Sequence, residues 1–280
     1  MHEGAFALID CLGFKGIWKR TDNDRVLHDK LKRIVKQVQP QLIAGVPFEL
    51  LRRRWVINAS LLSDSVAISL RYDDEDVRGT SRPRRKTKER EKSYLVWLLA
   101  ASTIKILDLF LEDEPTLLLR GCITYGEHEQ EGNFIVGPAV DYAAETLEVA
   151  QGAFVWLHPS AAPKYQRAVR AVMNTIKILR DSGKDKELLL GSQKALGLPI
   201  MVESYNMPLT RGGFFRCPVL NPLAFHKTKE ERRAVMQCYS DSMLSYEFDI
   251  ILKHQYTMDF LQAADKAYED HGDNYEDFFD

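Results

Sequence analysis

Two aspartates occupy matched settings in this chain. The apolar run Ala5-Phe6-Ala7-Leu8-Ile9 ends on Asp10, and the chain then turns through Cys11-Leu12-Gly13-Phe14-Lys15-Gly16. The layout recurs at Ala59-Ser60-Leu61-Leu62-Ser63-Asp64-Ser65-Val66-Ala67-Ile68. A near-continuous apolar segment is the mark of a buried strand, and an ionised acid at its tip is costly unless a cation or hydrogen-bond donors meet it. Gly13 and Gly16 let the backbone turn with N–H groups free, which suits phosphate oxygens. Two strand-borne carboxylates in one sheet fit a hard divalent cation, because Mg²⁺ takes oxygen ligands and shares one or two carboxylates with the phosphates of a substrate.

A third group of interest is Arg120, which interrupts the apolar strand Thr116-Leu117-Leu118-Leu119-Arg120-Gly121-Cys122-Ile123. A guanidinium presents a fork of donors that matches phosphate bidentately. Each residue also has a plainer reading. Asp10 can cap the turn that follows it, Asp64 can be a hairpin-turn acid, and Arg120 can be tied to an acid in the core. The cysteines (Cys11, Cys122, Cys217 and Cys238) show no CxxC spacing, and the histidines show no i,i+4 pairing. Reduced thiols are therefore expected, with neither zinc nor a disulfide scaffold.

The elements that must position these residues follow from periodicity. Residues 18–39 carry apolar positions at helical spacing, closing before Pro40. Residues 42–51 are ambiguous, and strands are expected at 54–59 and 66–72, meeting in a hairpin near Asp64. Residues 73–92 shift sharply in composition, from Asp73-Asp74-Glu75-Asp76 to Arg82-Pro83-Arg84-Arg85-Lys86. Charge blocks with few apolar residues predict a solvated, mobile loop, a cationic flap near phosphates or nucleic acid being the second reading. An apolar helix follows over 94–111, a strand over 116–127, a turn near Gly132-Asn133, and a helix opened by Gly137-Pro138 that runs over 141–149. A strand at 153–157, a helix at 163–180, a strand near 198–204, a long helical stretch over 230–270 and a mobile acidic tail over 268–280 complete the reading. Strands alternating with helices argue for an α/β layered domain with antiparallel hairpins.

Bulk composition narrows the function. With 38 basic and 40 acidic residues in 280, the chain is not a polycation built for nucleic acid or a membrane surface. The start of the chain has no basic segment leading a long apolar stretch, and no segment of roughly 18 uninterrupted apolar residues occurs. A cytoplasmic protein is expected.

Four pieces then stand in a fixed order: Asp10-x-x-Gly13-Phe14; Ser63-Asp64-Ser65; Arg120-Gly121-x-Ile123-x-x-Gly126; and Gly137-x-x-Val140-Asp141-x-Ala143-Ala144 leading into Leu147-Glu148. This order resembles the class III nucleotidyl cyclase catalytic domain over roughly residues 4–160, and more specifically the pyrimidine cyclases of bacterial Pycsar anti-phage systems. The resemblance implies a ferredoxin-like α/β (α+β) fold with a mainly antiparallel central sheet flanked by helices. It divides the chain into a catalytic domain at 1–205, with the charged loop at 73–92, and a helical extension with an acidic tail at 206–280. It implies two Mg²⁺ or Mn²⁺ ions per site held by Asp10, Asp64 and the carbonyl of Cys11. It also implies a triphosphate held by Gly13, Phe14 and Lys15, with Arg120 on the phosphates. Ser60 falls where purine cyclases keep a base-reading Lys or Glu, and a small hydroxyl cannot make that charged contact. Where family members carry Asn and then Arg on the helix after the hairpin, this chain has Asp141 and Glu145; Asp141 takes the substrate-facing position and Arg211 is one candidate replacement for the arginine. The activity implied is that of a phosphorus–oxygen lyase forming a 3′,5′-cyclic monophosphate from CTP or UTP, a second messenger in anti-phage defence. It would work in a homodimer with sites at the interface, and neither membrane nor nucleic acid is an expected partner.

Two other classes stay open. A PIN-like metal-dependent nuclease also begins with a strand ending in Asp, but wants further acids clustered on later strand ends. A degenerate cyclase domain would bind nucleotide, or dimerise, without turnover.

Overall fold

The computed structural model describes residues 1–12, 24–43, 55–62, 64–72, 85–112, 116–182, 200–242 and 248–276. Strand β1 (His2–Cys11) is followed by helix α1 (Asp24–Ile43), the hairpin of β2 (Trp55–Leu62) and β3 (Ser65–Tyr72), helix α2 (Arg85–Leu111) and the long strand β4 (Leu119–Glu131). These strands line up as β2-β3-β1-β4, so β1 lies between β3 and β4 and runs antiparallel to both. That order, from a β-α-β-β-α-β chain, is the ferredoxin-like arrangement.

Beyond it, β5 (Phe134–Val136) folds back on β4, helix α3 (Pro138–Thr146) crosses over, and β6 (Val155–Leu157) joins parallel to β4. Helix α4 (Ala162–Ser182) leads to the hairpin of β7 (Met201–Pro208) and β8 (Phe214–Leu220), where β8 pairs with β6 and completes a mainly antiparallel sheet. Helices α5 (Lys229–Ser242) and α6 (Phe248–Glu276) close the described chain. The architecture is the mixed α/β class read from the sequence, with helices at its C-terminal end.

The period-two alternation of β1 sorts its side chains. Ala5, Ala7, Ile9 and Cys11 join the main core with Leu31 and Ile34 of α1 and the apolar length of α2. Phe6 packs on the opposite face with Ala67, Ala139 and Ala143, and Leu8 packs against that group. Asp10 follows Phe6 and Leu8 by the same period, so its carboxylate leaves the sheet on the α3 face, away from the main core. Helix α2 explains its own composition: residues Lys92–Leu111 are long and apolar enough to cross a membrane, yet 83% of that window is buried inside the protein. A helix apolar all round is the expected sequence of a core helix.

Several expectations about element limits are corrected. Helix α1 does not close before Pro40 but runs on to Ile43; a proline in the last turn forfeits only one intrahelical bond there. The charged stretch 73–92 is not all loop, because Arg85 opens α2, and Lys92 is ion-paired with Glu3; residues 73–84 lie outside the described residues. The helix after the hairpin starts at Pro138, as expected, but ends at Thr146 rather than at Val149. The stretch 230–270 is two helices, and much of the expected acidic tail is the end of α6, which continues to Glu276. The boundary expected between 205 and 206 falls inside β7, and the sheet continues through β8 before the terminal helices begin at Lys229.

Candidate active site

Asp10 sits near the end of β1, directly opposite Ser65 on β3 and Arg120 on β4. Sheet register alone therefore brings one acid, one hydroxyl and one guanidinium into a row. The Ser65 hydroxyl donates to Asp10 Oδ1 at 3.1 Å. Arg120 donates to Asp10 Oδ2 through Nε at 3.4 Å and Nη2 at 3.3 Å. Asp64 occupies the β2–β3 turn, and its backbone carbonyl accepts the Cys11 N–H at 3.0 Å. This bond pins the turn to the end of β1 and holds the second acid beside the first.

Burial, with the Asp64 charge next, pushes the Asp10 carboxyl above its ordinary range, and Arg120 and Ser65 only partly oppose this. A divalent cation between the two acids would cancel the Asp64 repulsion and favour the ionised form against the effect of burial. The donor set fits Mg²⁺ or Mn²⁺: two carboxylates, with further oxygens supplied by water and phosphate. Among the described residues no group of three or more His, Cys, Asp or Glu side chains is placed to hold a metal ion, so Asp10 and Asp64 are the only side-chain carboxylates this end of β1 would offer one among them. The Cys11 thiol is no part of it, because burial and the neighbouring acids push its pKa far up and keep it protonated; only its backbone carbonyl remains as a ligand candidate.

The β4–β1 contact depends on Gly121, the neighbour of Arg120. A Cβ at Gly121 would stand 2.5 Å from the Leu8 carbonyl oxygen, so only glycine lets the strands close where Arg120 must reach Asp10. Gly137 at the start of α3 has φ 131°, and a Cβ there would meet the Glu127 carbonyl at 2.7 Å. That turn seats α3 on the sheet, where the Thr124 hydroxyl donates to the Ala139 carbonyl at 2.7 Å.

The other expected site residues are placed as follows. Gly13, Phe14 and Lys15 lie outside the described residues. Ser60 is buried under the β4–β5 hairpin: its hydroxyl donates to the Gly132 carbonyl at 2.7 Å and accepts from Gln130 Nε2 at 2.9 Å. Asp141 is exposed on α3, whose buried residues are Ala139 and Ala143, and Glu145 is exposed as well. Tyr142, from the same helix, stacks on His158 with ring centroids 5.2 Å apart. Arg211 is exposed at the tip of the β7–β8 hairpin.

Sequence reasoning gave no role to Glu148. Its carboxylate accepts from Arg120 Nη2 at 3.0 Å, closer than Asp10 does. The turn that carries it is gripped by the β7–β8 hairpin: the Thr210 hydroxyl donates to the Glu148 carbonyl at 3.1 Å, the Thr210 N–H to the Val149 carbonyl at 3.0 Å, and the Gln151 N–H to the Pro208 carbonyl at 2.9 Å. Nothing local in the sequence points to this long-range grip.

No family model matches the chain, and no curated protein matches it. Among solved structures, the chain is similar to the catalytic core of a rhodopsin-guanylyl cyclase with converted specificity in complex with ATPαS, at 10% identity over 78% of this chain and 94% of that one, with a TM-score of 0.42. It is also similar to a class III adenylyl cyclase-like ATP-binding protein from Pseudomonas aeruginosa, at 14% identity over 96% of this chain and 44% of that one, with a TM-score of 0.35. Both scores are low, and the chemistry of this chain is read from its own residues.

Proposed function

We propose that the protein is a nucleotidyl cyclase that converts a pyrimidine nucleoside triphosphate, CTP or UTP, into its 3′,5′-cyclic monophosphate and pyrophosphate. The observation that carries this reading is the row of Asp10, Ser65 and Arg120 across three adjacent strands, with Asp64 tied to the same strand end. Asp10, Asp64 and the Cys11 carbonyl would hold Mg²⁺ or Mn²⁺. Such ions, when bound, acidify the attacking hydroxyl and stabilise the leaving oxygens.

The chain's own residues do the rest. The ribose 3′-oxygen bonds to the α-phosphorus, the bond from that phosphorus to the bridging oxygen of the β-phosphate breaks, and the hydroxyl proton passes to solvent. Arg120 offers donors to phosphate oxygens where charge accumulates, and the Ser65 hydroxyl keeps Asp10 oriented. Gly13, Phe14 and Lys15 would supply the turn around the triphosphate. Ser60, whose hydroxyl is buried and engaged by Gly132 and Gln130, puts no charged purine-reading group at its position, and that is the support it gives to a pyrimidine. In this reading the enzyme is a cytoplasmic homodimer whose product signals in anti-phage defence.

The test is incubation with the four ribonucleoside triphosphates and Mn²⁺, with cyclic products identified by mass. Cyclic CMP or cyclic UMP with stoichiometric pyrophosphate is expected, and Asp10→Ala and Asp64→Ala should abolish both. Absence of any cyclic product overturns the reading. A nucleotide-binding module without turnover is the second reading, favoured by the exposed acids Asp141 and Glu145 on α3; calorimetric binding of nucleotide without product would select it.

A further inference from the structure

In the structure the Arg120 guanidinium is shared between two carboxylates. Nη2 lies 3.3 Å from Asp10 Oδ2 and 3.0 Å from Glu148 Oε1. The Arg120 and Asp10 side chains are only 11% and 14% exposed, whereas Glu148 is 79% exposed at the rim. Arg120 thus stands as an internal cation on the acid that the proposed function assigns to a metal ion.

We propose that Glu148 is a positioning residue that retains Arg120 when a divalent cation takes Asp10. The inference rests on the metal role given to Asp10 above, and the physical argument has two steps. A divalent cation bound at Asp10 repels a guanidinium on the same carboxylate, so the two compete for Oδ2. A nearly buried guanidinium left without a counter-charge is costly, so Arg120 can yield Asp10 only if another acid holds it. Glu148 is that acid, and Thr210 of the β7–β8 hairpin fixes its backbone by donating to its carbonyl oxygen. Held there, Arg120 would stay beside Asp10 with its remaining donors available to phosphate oxygens. In this proposal Glu148 acts through Arg120.

The test is a double-mutant cycle read as Mn²⁺ affinity of the full chain without nucleotide, by calorimetry or by the EPR signal of free Mn²⁺. Removing the internal cation in Arg120→Gln should tighten Mn²⁺ binding about tenfold, and Glu148→Gln, which leaves Arg120 only Asp10, should weaken it about fivefold. In the Arg120→Gln background the same Glu148→Gln change should move affinity by less than about twofold, and Glu148→Asp should restore part of the loss in the native background. An equal Glu148→Gln effect in both backgrounds overturns the proposal, because Glu148 would then act as a plain negative charge. Failure of the native chain to bind Mn²⁺, or undiminished binding in Asp10→Asn, overturns the metal role itself and the proposal with it. Mn²⁺ binding with the expected cycle but no cyclic product leaves the proposal standing and overturns only the cyclase reading.

Discussion

Asp10 is held in an unfavourable state by its own surroundings. Burial and Asp64 raise its pKa despite Arg120 and Ser65, so in the metal-free protein its ionisation opposes folding. A group whose folded pKa is raised favours the fold fully below its unfolded value and loses that contribution as pH rises through the folded one. Asp10→Asn keeps the shape, discards the charge, and should stabilise the metal-free protein at neutral pH while abolishing activity; urea denaturation of the metal-free proteins checks the first half and a product assay with Mn²⁺ the second. Arg120→Lys is the second test at this scale. An ammonium cannot reproduce a fork that addresses two acids at once, and kcat should fall about tenfold or more with little change in stability. Asp10, Asp64 and Arg120 were legible in the sequence because their types are unusual for the ends of apolar strands. Glu148 was not, because a solvent-facing acid after a helix looks like any other until its partner is known.

Strand closeness at Gly121 and the docking of the C-terminal helices are the two contacts on which the elements most visibly depend. Gly121→Val would drive a side chain into the Leu8 carbonyl, and the expected outcome is a loss of about 2 kcal/mol or more with β4 pushed off β1; a lowered urea midpoint together with lost Mn²⁺ binding would show it. The lead-in to α5 is tied to α2 by His226, whose Nε2 lies 3.1 Å from Asp108 Oδ1. That hydrogen bond raises the His226 pKa against the opposing pull of burial. The protonated pair therefore stabilises the fold fully below about pH 6.5, and its contribution disappears as pH rises through the folded value. Unfolding free energy should drop by about 1 kcal/mol across that window, and His226→Gln should flatten the dependence. The β2–β3 hairpin, the strand carrying Arg120 and the Gly137-Pro138 helix start were readable from period and turn residues. The pairing of β8 with β6 was not, since Phe214-Phe215-Arg216-Cys217-Pro218-Val219-Leu220 carries a proline and no clean alternation, and its partner is far away in sequence.

At the scale of the whole molecule, the order of strands and helices was enough to reach a mixed α/β fold, while the division near residue 205 ignored a sheet that runs straight across it. The β7–β8 hairpin reaches back to the turn holding Glu148, so a fragment ending at residue 205 should lose more than its terminal helices; Mn²⁺ titration of that fragment beside the full chain would measure the difference. The placement of β1 has a further consequence, one that concerns time. Asp10 bonds to Ser65 across 55 residues and to Arg120 across 110. Contacts of such separation form late, because the loop-closure entropy must be met before they reward the chain. Strand β1 thus carries a carboxylate whose partners lie far along the chain, and competence to bind a cation should appear only with the slowest refolding phase.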